Sequence, residues 1–145
     1  MFVNRVAELA LLEKIYSSGK AECCLLSGRH RIGKTELLHQ FCDNKKSVFY
    51  VCDLGSEIAA RTALSLLVNQ TLVVYEQLHA IYNTWEDIFL ALGKAAMQER
   101  LVVVLDEFQN LVTTHPPVVS ILQNIWDQHL KYTNIFLLLS FSDFN

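Results

Sequence analysis

Residues 28–35, GRHRIGKT, have the types and spacing needed to bind a phosphate chain. They fit the pattern G-x-x-x-x-G-K-[ST] at each fixed position, with Gly28, Gly33, Lys34 and Thr35. Glycines let a backbone wrap closely around phosphates, while successive N–H groups and a following helix N-terminus direct positive dipoles at them. Lys34 would add a positive charge at the β- and γ-phosphates, and the Thr35 hydroxyl is a hard oxygen donor suited to Mg²⁺. The loop therefore predicts a nucleotide site, for which a chance match on a strand-to-helix turn is the alternative.

A second motif, LVVVLDEFQNL at residues 101–111, places two carboxylates directly after an apolar run. In an open parallel sheet the carboxyl ends of the strands face the ligand crevice. Asp106 would there hold the water shell of Mg²⁺, and Glu107 would orient or deprotonate the water that attacks a γ-phosphate. The plainer alternative is a strand that ends in a charged surface turn. The combination of this second motif with the glycine-lysine loop at 28–35 favours the catalytic interpretation.

Apolar periodicity predicts alternating helices and strands that would position both motifs. We expect a helix from Thr84, which can cap it, with Asp87 three residues later as in a capping box. Strands alternating with helices of ten or more residues predict a parallel sheet with helices on both faces, a three-layer α/β/α P-loop NTPase fold. The predicted helices are 5–17, 34–42, 56–75 with a break near 69–71, 84–99, and one from the prolines at 116–117 to about 132; the predicted strands are 23–27, 47–52, 101–105 and 135–140.

Composition excludes several classes of protein. The chain has 145 residues, 52% of them hydrophobic, which suits one domain with a sizeable core. Its apolar runs are far shorter than a membrane helix requires, and its N-terminus lacks a secretory signal pattern. A net charge of −3 gives no basic footprint for nucleic acid. The four cysteines have no Cys-x-x-Cys spacing, so we expect small buried thiols in a cytoplasmic protein.

Four stretches together resemble a known family. They are FVNRVAEL at 2–9, GRHRIGKTELL at 28–38, LVVVLDEFQNL at 101–111 and ILQNIWDQHLKYTNIFLLL at 121–139. The chain resembles the N-terminal ATPase core of the AAA-like archaeal and bacterial ATPases, a family related to the STAND signalling ATPases and the origin-recognition AAA+ proteins. Other nucleotide folds fit less well, because the chain lacks the G-x-G-x-x-G pattern of dinucleotide sites and the Asn-Lys-x-Asp of GTPases.

The resemblance implies ATP and Mg²⁺ as ligands, with Thr35 and Asp106 at the metal and Glu107 and Lys34 in catalysis. It also implies that residues 2–5 pack near the adenine and that a serine after the last strand senses the γ-phosphate, for which we prefer Ser142 over Ser140. Arg29 and Arg31 are phosphate contacts, an inter-subunit finger, or ordinary surface arginines. The implied nucleotide-binding set is Gly28, Arg29, His30, Arg31, Ile32, Gly33, Lys34, Thr35, Glu36, Asn4, Arg5 and Ser142.

The C-terminal residues depart from the family pattern. Relatives usually follow the last apolar run with a small residue, glycine and serine, then a fifth strand, a helical lid and further domains. Here the text is SFSDFN, with Phe141 in place of the glycine. We therefore expect a single core domain, residues 1–145, that is an N-terminal fragment of a longer architecture, incomplete after its fourth strand and lacking the fifth strand, the lid and any arginine of the lid.

Two expectations follow from this departure, one about association and one about function, and each has an alternative. The sheet order implied by the family places the strand 23–27 between the strand 135–140 and the missing fifth strand, so we expect self-association through that exposed edge or the tail, unless a protein partner or C-terminal domain covers it. The function is either an ATPase, whose turnover drives a conformational change in an attached domain or partner, or a switch that binds ATP with little or no turnover. Glu107 favours the ATPase, and the end at Asn145 favours the switch.

Overall fold

The computed structural model describes residues 5–29, 33–71 and 81–143, and it has the predicted α/β architecture. Ten regular elements follow one another along these residues. They are α1 (Arg5–Tyr16), β1 (Glu22–Arg29), α2 (Lys34–Cys42), β2 (Ser47–Val51), α3 (Glu57–Thr71), α4 (Trp85–Gln98), β3 (Leu101–Asp106), α5 (Phe108–Thr114), α6 (Val118–Gln128) and β4 (Ile135–Asp143), with a short 3-10 helix (Leu130–Tyr132) before β4.

The four strands form one parallel sheet in the order β1-β4-β3-β2. The neighbour of β1 is therefore β4, as the sheet order inferred from the family resemblance requires. The register pairs Gly28 with Ser142 and Leu105 with Leu139. This register brings the carboxyl ends of β1, β4 and β3 to one edge of the sheet, where ligands bind in open α/β folds.

The two central strands are apolar because helices cover both of their faces. All six residues of β3 are buried, and its five apolar side chains alternate between two separate clusters. Val102 and Val104 pack with α1 and α2 on one face, whereas Val103 and Leu105 pack with α3 to α6 on the other. These two clusters make the three layers that the sequence predicted.

The helix α2 is firmly anchored, which matters because it carries Lys34 and Thr35. Leu37, Leu38 and Phe41 are almost completely buried against β3 and β4. The Phe41 ring also meets Tyr16 of α1 edge-on, with 5.8 Å between ring centroids. Burying side chains of this size contributes about 1.5–3 kcal/mol each, so the start of α2 rests on a rigid support.

The predicted boundaries hold closely for several elements. The sequence placed α2 at 34–42, which agrees with the structure, and the Thr84 hydroxyl caps α4 by accepting the Asp87 N–H at 3.1 Å. The sequence did not predict α5, and it ended β1 at 27 and β4 at 140 although they continue to Arg29 and Asp143. The continuation of α3 beyond Thr71 was predicted for residues that lie outside the described part of the chain.

The expectation that the cysteines are buried is wrong for Cys23. Cys42 and Cys52 are buried, but Cys23 is exposed and Cys24 is half-buried, since both lie on β1 at the end of the sheet. All four are free thiols. Among the described helices, we find none with the length and apolar character to cross a lipid bilayer.

Candidate functional site

The start of α2 and the carboxyl ends of β3 and β4 bring the two sequence motifs together. Gly33 precedes α2 with φ 77°, in the left-handed region where glycine alone is unstrained. Gly28 lies near the end of β1, and a Cβ there would meet no atom of the described residues within 4 Å. Lys34 is the first residue of α2, and its side chain turns back toward the ends of β3 and β4.

The Lys34 ammonium lies in a buried polar cluster, with the residue only 4% exposed. Its Nζ donates to Ser142 Oγ at 2.7 Å and to Glu107 Oε1 at 3.5 Å. Asp106 Oδ1 lies 3.7 Å away. Two carboxylates thus compensate the charge of Lys34, and a hydroxyl accepts one of its hydrogen bonds, as a buried ammonium requires.

Asp106, at the end of β3, is completely buried and is held by two hydroxyl groups. Thr35 Oγ1 donates to Asp106 Oδ2 at 2.7 Å, and the Ser140 hydroxyl donates to Asp106 Oδ1. Since Thr35 is the second residue of α2, its hydrogen bond links the helix start to β3. Thr35 and Asp106 therefore present a hydroxyl and a carboxylate side by side, the hard oxygen donors that suit Mg²⁺.

Glu107 has an unusual backbone conformation, with φ 55° and ψ 46°. Among the described residues, Glu107 is the only residue other than glycine with a positive φ. Such a conformation costs on the order of 1–3 kcal/mol. Its N–H donates to Ser140 Oγ at 2.9 Å, so the hydroxyl that holds Asp106 also fixes the Glu107 backbone. The turn at Glu107 ends β3 and begins α5.

The Glu107 carboxylate is bonded on both oxygens. Ser142 Oγ donates to Oε1 at 2.7 Å, and Gln109 Nε2 donates to Oε2 at 2.8 Å. Burial is the largest single influence on the Glu107 pKa and raises it. The hydrogen bonds from Gln109 and Ser142, together with the charge and hydrogen bond of Lys34, outweigh burial and lower the pKa below its ordinary value. Glu107 is therefore held as a carboxylate.

A cavity of about 440 Å³ opens beside this cluster. A larger cavity, of about 780 Å³, lies elsewhere, between β1, β4, α5 and α6, and its lining is mainly apolar. The smaller cavity is the candidate functional site, since charged and hydroxyl groups converge there. Its lining residues are Gly33, Lys34, Thr35, Glu36, His39 and Glu107.

The structure brings together most of the predicted site residues that it describes. One connected cluster contains Lys34, Thr35, Asp106, Glu107 and Ser142. The two serines considered as sensors have different partners, since Ser142 contacts Lys34 and Ser140 contacts Asp106. Arg5 begins α1 and Arg29 ends β1. Asn4, His30, Arg31 and Ile32, which were also predicted to bind nucleotide, lie outside the described residues. The roles assigned to all these residues stay predictions.

Sequence reasoning missed Gln109, which contacts both Glu107 and the backbone of Ser142. It also missed that Ser140 supports Asp106 and the Glu107 backbone together. The available signal for Gln109 was a polar residue two positions after Glu107, close to the Asp-Glu pair. No such signal existed for Ser140, because its contacts depend on the pairing of β3 with β4.

Protein side chains alone do not form a metal centre in the part of the chain that the structure describes. No group of three or more His, Cys, Asp or Glu side chains there could hold a metal ion. A Mg²⁺ ion at Thr35 and Asp106 would therefore depend on oxygens from a bound ligand and water, which is how Mg²⁺ is usually held with nucleotide phosphates.

Comparison with known proteins gives the family. A model of ATPase domains found predominantly in Archaea matches residues 2–143. A protein of Methanocaldococcus jannaschii described as uncharacterized is 30% identical over 139 residues, which are 96% of this chain and 29% of that protein. A second protein of that organism, described as an uncharacterized ATP-binding protein, is 50% identical over 46 residues, 32% of this chain and 78% of its own length.

A third protein of the same organism, also described as uncharacterized, is 42% identical over 53 residues, 37% of this chain and 52% of its own length. The chain thus spans less than a third of the first relative and about half of the third. The family model covers nearly all of this chain, including both motifs at the candidate site. The chain belongs to the family of ATPase domains found predominantly in Archaea.

Proposed function

We propose that this chain binds ATP with Mg²⁺ and hydrolyses it, and that turnover drives a conformational change in an attached domain or partner. The observation that carries the proposal is the single cluster formed by Lys34, Thr35, Asp106 and Glu107 at the carboxyl edge of the sheet. Membership of an ATPase family supports it, and so does the description of one relative as ATP-binding. The whole chain acts in this proposal as one core domain.

ATP binding requires Lys34 to exchange its partners. The ammonium now contacts Ser142 and Glu107, and phosphate oxygens would replace these acceptors as the triphosphate enters the cavity. The exchange keeps the charge of Lys34 compensated, because phosphates are at least as strong acceptors as a hydroxyl and a carboxylate. Gly33, with its left-handed backbone, and Gly28, with no described atom close to its Cβ position, would let the phosphates approach the backbone closely at these two residues.

Metal binding is assigned to Thr35 and Asp106. Their oxygens lie 2.7 Å apart and match the preference of Mg²⁺ for hard donors. Held by Thr35 and Asp106, the ion would supply positive charge that neutralises the charge developing on the phosphates in the transition state. Ser140 keeps the Asp106 carboxylate in place through its hydroxyl, and Lys34 stays close enough to add a second positive charge.

Glu107 is assigned as the general base. The oxygen of a water molecule would form a bond to the γ-phosphorus while the bond to the bridging oxygen of the β-phosphate breaks, and the water proton would pass to the Glu107 carboxylate. Its lowered pKa keeps the residue ionised and therefore able to accept the proton. Ser142 would act as the sensor, because its hydroxyl contacts Lys34 and Glu107 at the same time.

The second candidate function is a nucleotide-binding switch with little or no turnover. It is favoured by one observation: both Glu107 oxygens already accept hydrogen bonds within the protein, Oε1 from Ser142 and Oε2 from Gln109. These donors, together with Lys34 at Oε1, compete with a water molecule for the carboxylate that would act as the base. Binding is common to both candidates, and phosphate release separates them.

A thermal-shift experiment tests nucleotide binding. A ligand that binds only the folded protein stabilises it by about 2.7 kcal/mol at a hundredfold excess over Kd. We expect ATP with Mg²⁺ to raise Tm in the wild type and in Lys94→Ala, whose side chain is exposed on α4. Lys34→Ala should lose the rise. An equal rise in Lys34→Ala would remove the nucleotide site from this cavity.

Self-association through β1 is a further part of the proposal. Among the described strands β1 forms one end of the sheet, and its Leu25 is 69% exposed. Apolar cavities of about 780 and 290 Å³ flank the strand, one on each face, and both include Leu25. An added strand with apolar side chains on both faces would fill them, and β1 of a second copy has that character through Cys23, Leu25, Cys24 and Leu26. Another protein or an attached domain could occupy the same edge.

The proposed location is the cytoplasm. Cys23, Cys24, Cys42 and Cys52 are all free thiols, which suits a reducing compartment. Thiol titration of the protein isolated from its native cells would test this proposal, since a native disulfide would contradict it.

A further inference from the structure

Gln109 makes two contacts that neither the motif nor the family comparison assigns. It is the second residue of α5, and it is half-buried. Its side-chain Nε2 donates to Glu107 Oε2 at 2.8 Å, and its Oε1 accepts the N–H of Ser142 at 3.3 Å. One side-chain amide therefore joins the carboxylate at the end of β3 to the backbone at the end of β4.

These contacts close a ring of three residues. The Ser142 hydroxyl donates to Glu107 Oε1 at 2.7 Å, while Gln109 holds Oε2 and the Ser142 N–H. The ring requires a side chain that is a donor and an acceptor at once, a property that an amide has and that a carboxylate or an aliphatic side chain lacks. The identity of residue 109 is therefore specified by its two partners.

The ring gives the two oxygens of Glu107 different surroundings. Oε1 lies toward the nucleotide side, where Lys34 Nζ is 3.5 Å away, and Oε2 lies toward α5. When Lys34 exchanges its contacts for phosphate oxygens, Oε1 loses one of its partners, but Oε2 keeps the hydrogen bond from Gln109. The carboxylate then stays in a fixed orientation, with Oε1 as the oxygen that can meet a water molecule.

A fixed orientation matters because a general base must lie within about 2.6–3.2 Å of the proton that it accepts. The backbone of Glu107 is already fixed by its N–H bond to Ser140, but its side chain has several rotatable bonds. The cap position of α5 provides no further restraint, since Glu107 makes no side-chain cap hydrogen bond there. Ser142, Lys34 and Gln109 restrain the carboxylate directly.

Resting on the ATP hydrolysis proposed above, we propose that Gln109 is a positioning residue. It orients Glu107 for proton transfer and couples that orientation to the end of β4 through the Ser142 N–H. Gln109 acts through Glu107, so removing it affects turnover and leaves nucleotide binding nearly unchanged. A misplacement of a base by about 1 Å can cost about 10²-fold in rate, which sets the scale of the effect.

The kinetic test compares Gln109→Leu and Gln109→Glu with Gln123→Ala, a control on an exposed position of α6. We expect kcat to fall roughly 10- to 100-fold in both Gln109 variants, with the ATP dissociation constant within about threefold of wild type. In a Glu107→Gln background, Gln109→Leu should lower the residual rate by less than about threefold, because the residue that it positions has lost its function. The positioning role would be overturned if ATP affinity fell in proportion to kcat. It would also be overturned if Gln109→Leu lowered the rate equally in the wild-type and Glu107→Gln backgrounds.

Amide hydrogen exchange tests the bridge without any turnover. Loss of the acceptor should speed exchange of the Ser142 amide about tenfold or more in Gln109→Leu, while the Gln123→Ala control leaves it unchanged. Gln109→Glu serves as the second variant. If the Ser142 amide exchanged at the wild-type rate in folded Gln109→Leu, the bridge from Gln109 to Ser142 would be overturned. If the wild type binds ATP but releases no phosphate, the proposed hydrolysis fails and the positioning role fails with it, while the exchange data still decide whether the bridge exists.

Discussion

Replacing Ser140 by alanine should destabilise the protein far more than the loss of one hydroxyl at the surface would. The Ser140 side chain is completely buried, accepts the Glu107 N–H at 2.9 Å, and donates to Asp106 Oδ1. Alanine leaves the Glu107 N–H without this acceptor and removes one donor from a buried carboxylate. The acceptor also stabilises the left-handed backbone of Glu107, whose φ is 55°.

The magnitude follows from these two losses. An unsatisfied buried polar group costs about 1–3 kcal/mol, and a hydrogen bond to a charged group is worth about 1.5–3 kcal/mol. Since partial relaxation reduces the sum, we expect Ser140→Ala to lower the free energy of unfolding by about 2–4 kcal/mol. For a domain of this size each kcal/mol changes Tm by about 2–4 °C, so Tm should fall by roughly 5–15 °C.

The assay is urea unfolding followed by circular dichroism, in buffer without nucleotide or Mg²⁺. Ser120→Ala is the matched control, because Ser120 lies exposed on α6. We expect a lower midpoint with an unchanged slope in Ser140→Ala, and a change within about 0.5 kcal/mol in the control. A change of that small size in Ser140→Ala would refute the argument that Ser140 holds Asp106 and Glu107 in place.

Three other predictions concern the metal, the sheet edge and acid stability. Thr35→Val should reduce the gain in ATP affinity that Mg²⁺ provides by about tenfold or more, measured by calorimetry with Mg²⁺ and with EDTA; an equal gain would contradict a metal role for Thr35. Leu25→Lys should lower the fraction of dimer in sedimentation at tens of micromolar, and a monomeric wild type would refute association through β1. The hydrogen bond from Arg61 to Glu57 Oε1, at 2.8 Å, is the main cause that lowers the Glu57 pKa, so its stabilisation is present above about pH 4.5 and is lost as the pH falls through the lower folded pKa. Glu57→Gln should therefore show a smaller loss of Tm between pH 6 and pH 3.5, whereas an equal loss would refute the assignment.

The sequence was sufficient for the architecture because each layer carries its own pattern. The helix α2 was predicted at its observed bounds, since Lys34 follows a glycine and its apolar residues recur at helical spacing. The strand β3 was recognisable as a continuous apolar run, which a strand buried on both faces requires. The two motifs then located the candidate site at the edge where β1 and β3 end.

The strand ends and α5 could not be predicted in the same way. The last residues of β1 and β4 are small or polar except for Phe141, and they stay in the sheet because the two strands pair with each other up to Arg29 and Asp143. The short helix α5 begins at Phe108, directly after Glu107, which has a left-handed backbone and makes no side-chain cap hydrogen bond, so the usual start signal is absent. In both cases the observed structure depends on contacts between residues that are far apart in the sequence, which a local pattern does not reveal.

The detailed chemistry of the site depends on the same long-range pairing. The sequence predicted that Lys34, Thr35, Asp106 and Glu107 share one site, but nothing in it showed that Ser140 and Ser142 take different partners. The two serines are separated by Phe141, so both side chains point to the same face of β4 and reach different parts of the β3 end. Only the register of the strands decides which serine meets which carboxylate.

Phosphate release measured together with equilibrium ATP binding, in the wild type and in Glu107→Gln, tests the central claim most directly. The substitution keeps the shape of the side chain but removes the base. The account predicts Mg²⁺-dependent phosphate release by the wild type, a fall in rate of roughly 10²- to 10⁴-fold in the variant, and similar ATP affinity in both. Equal rates in the two proteins would contradict the role of Glu107 as the base, and a wild type that binds ATP without releasing phosphate would contradict hydrolysis by this chain.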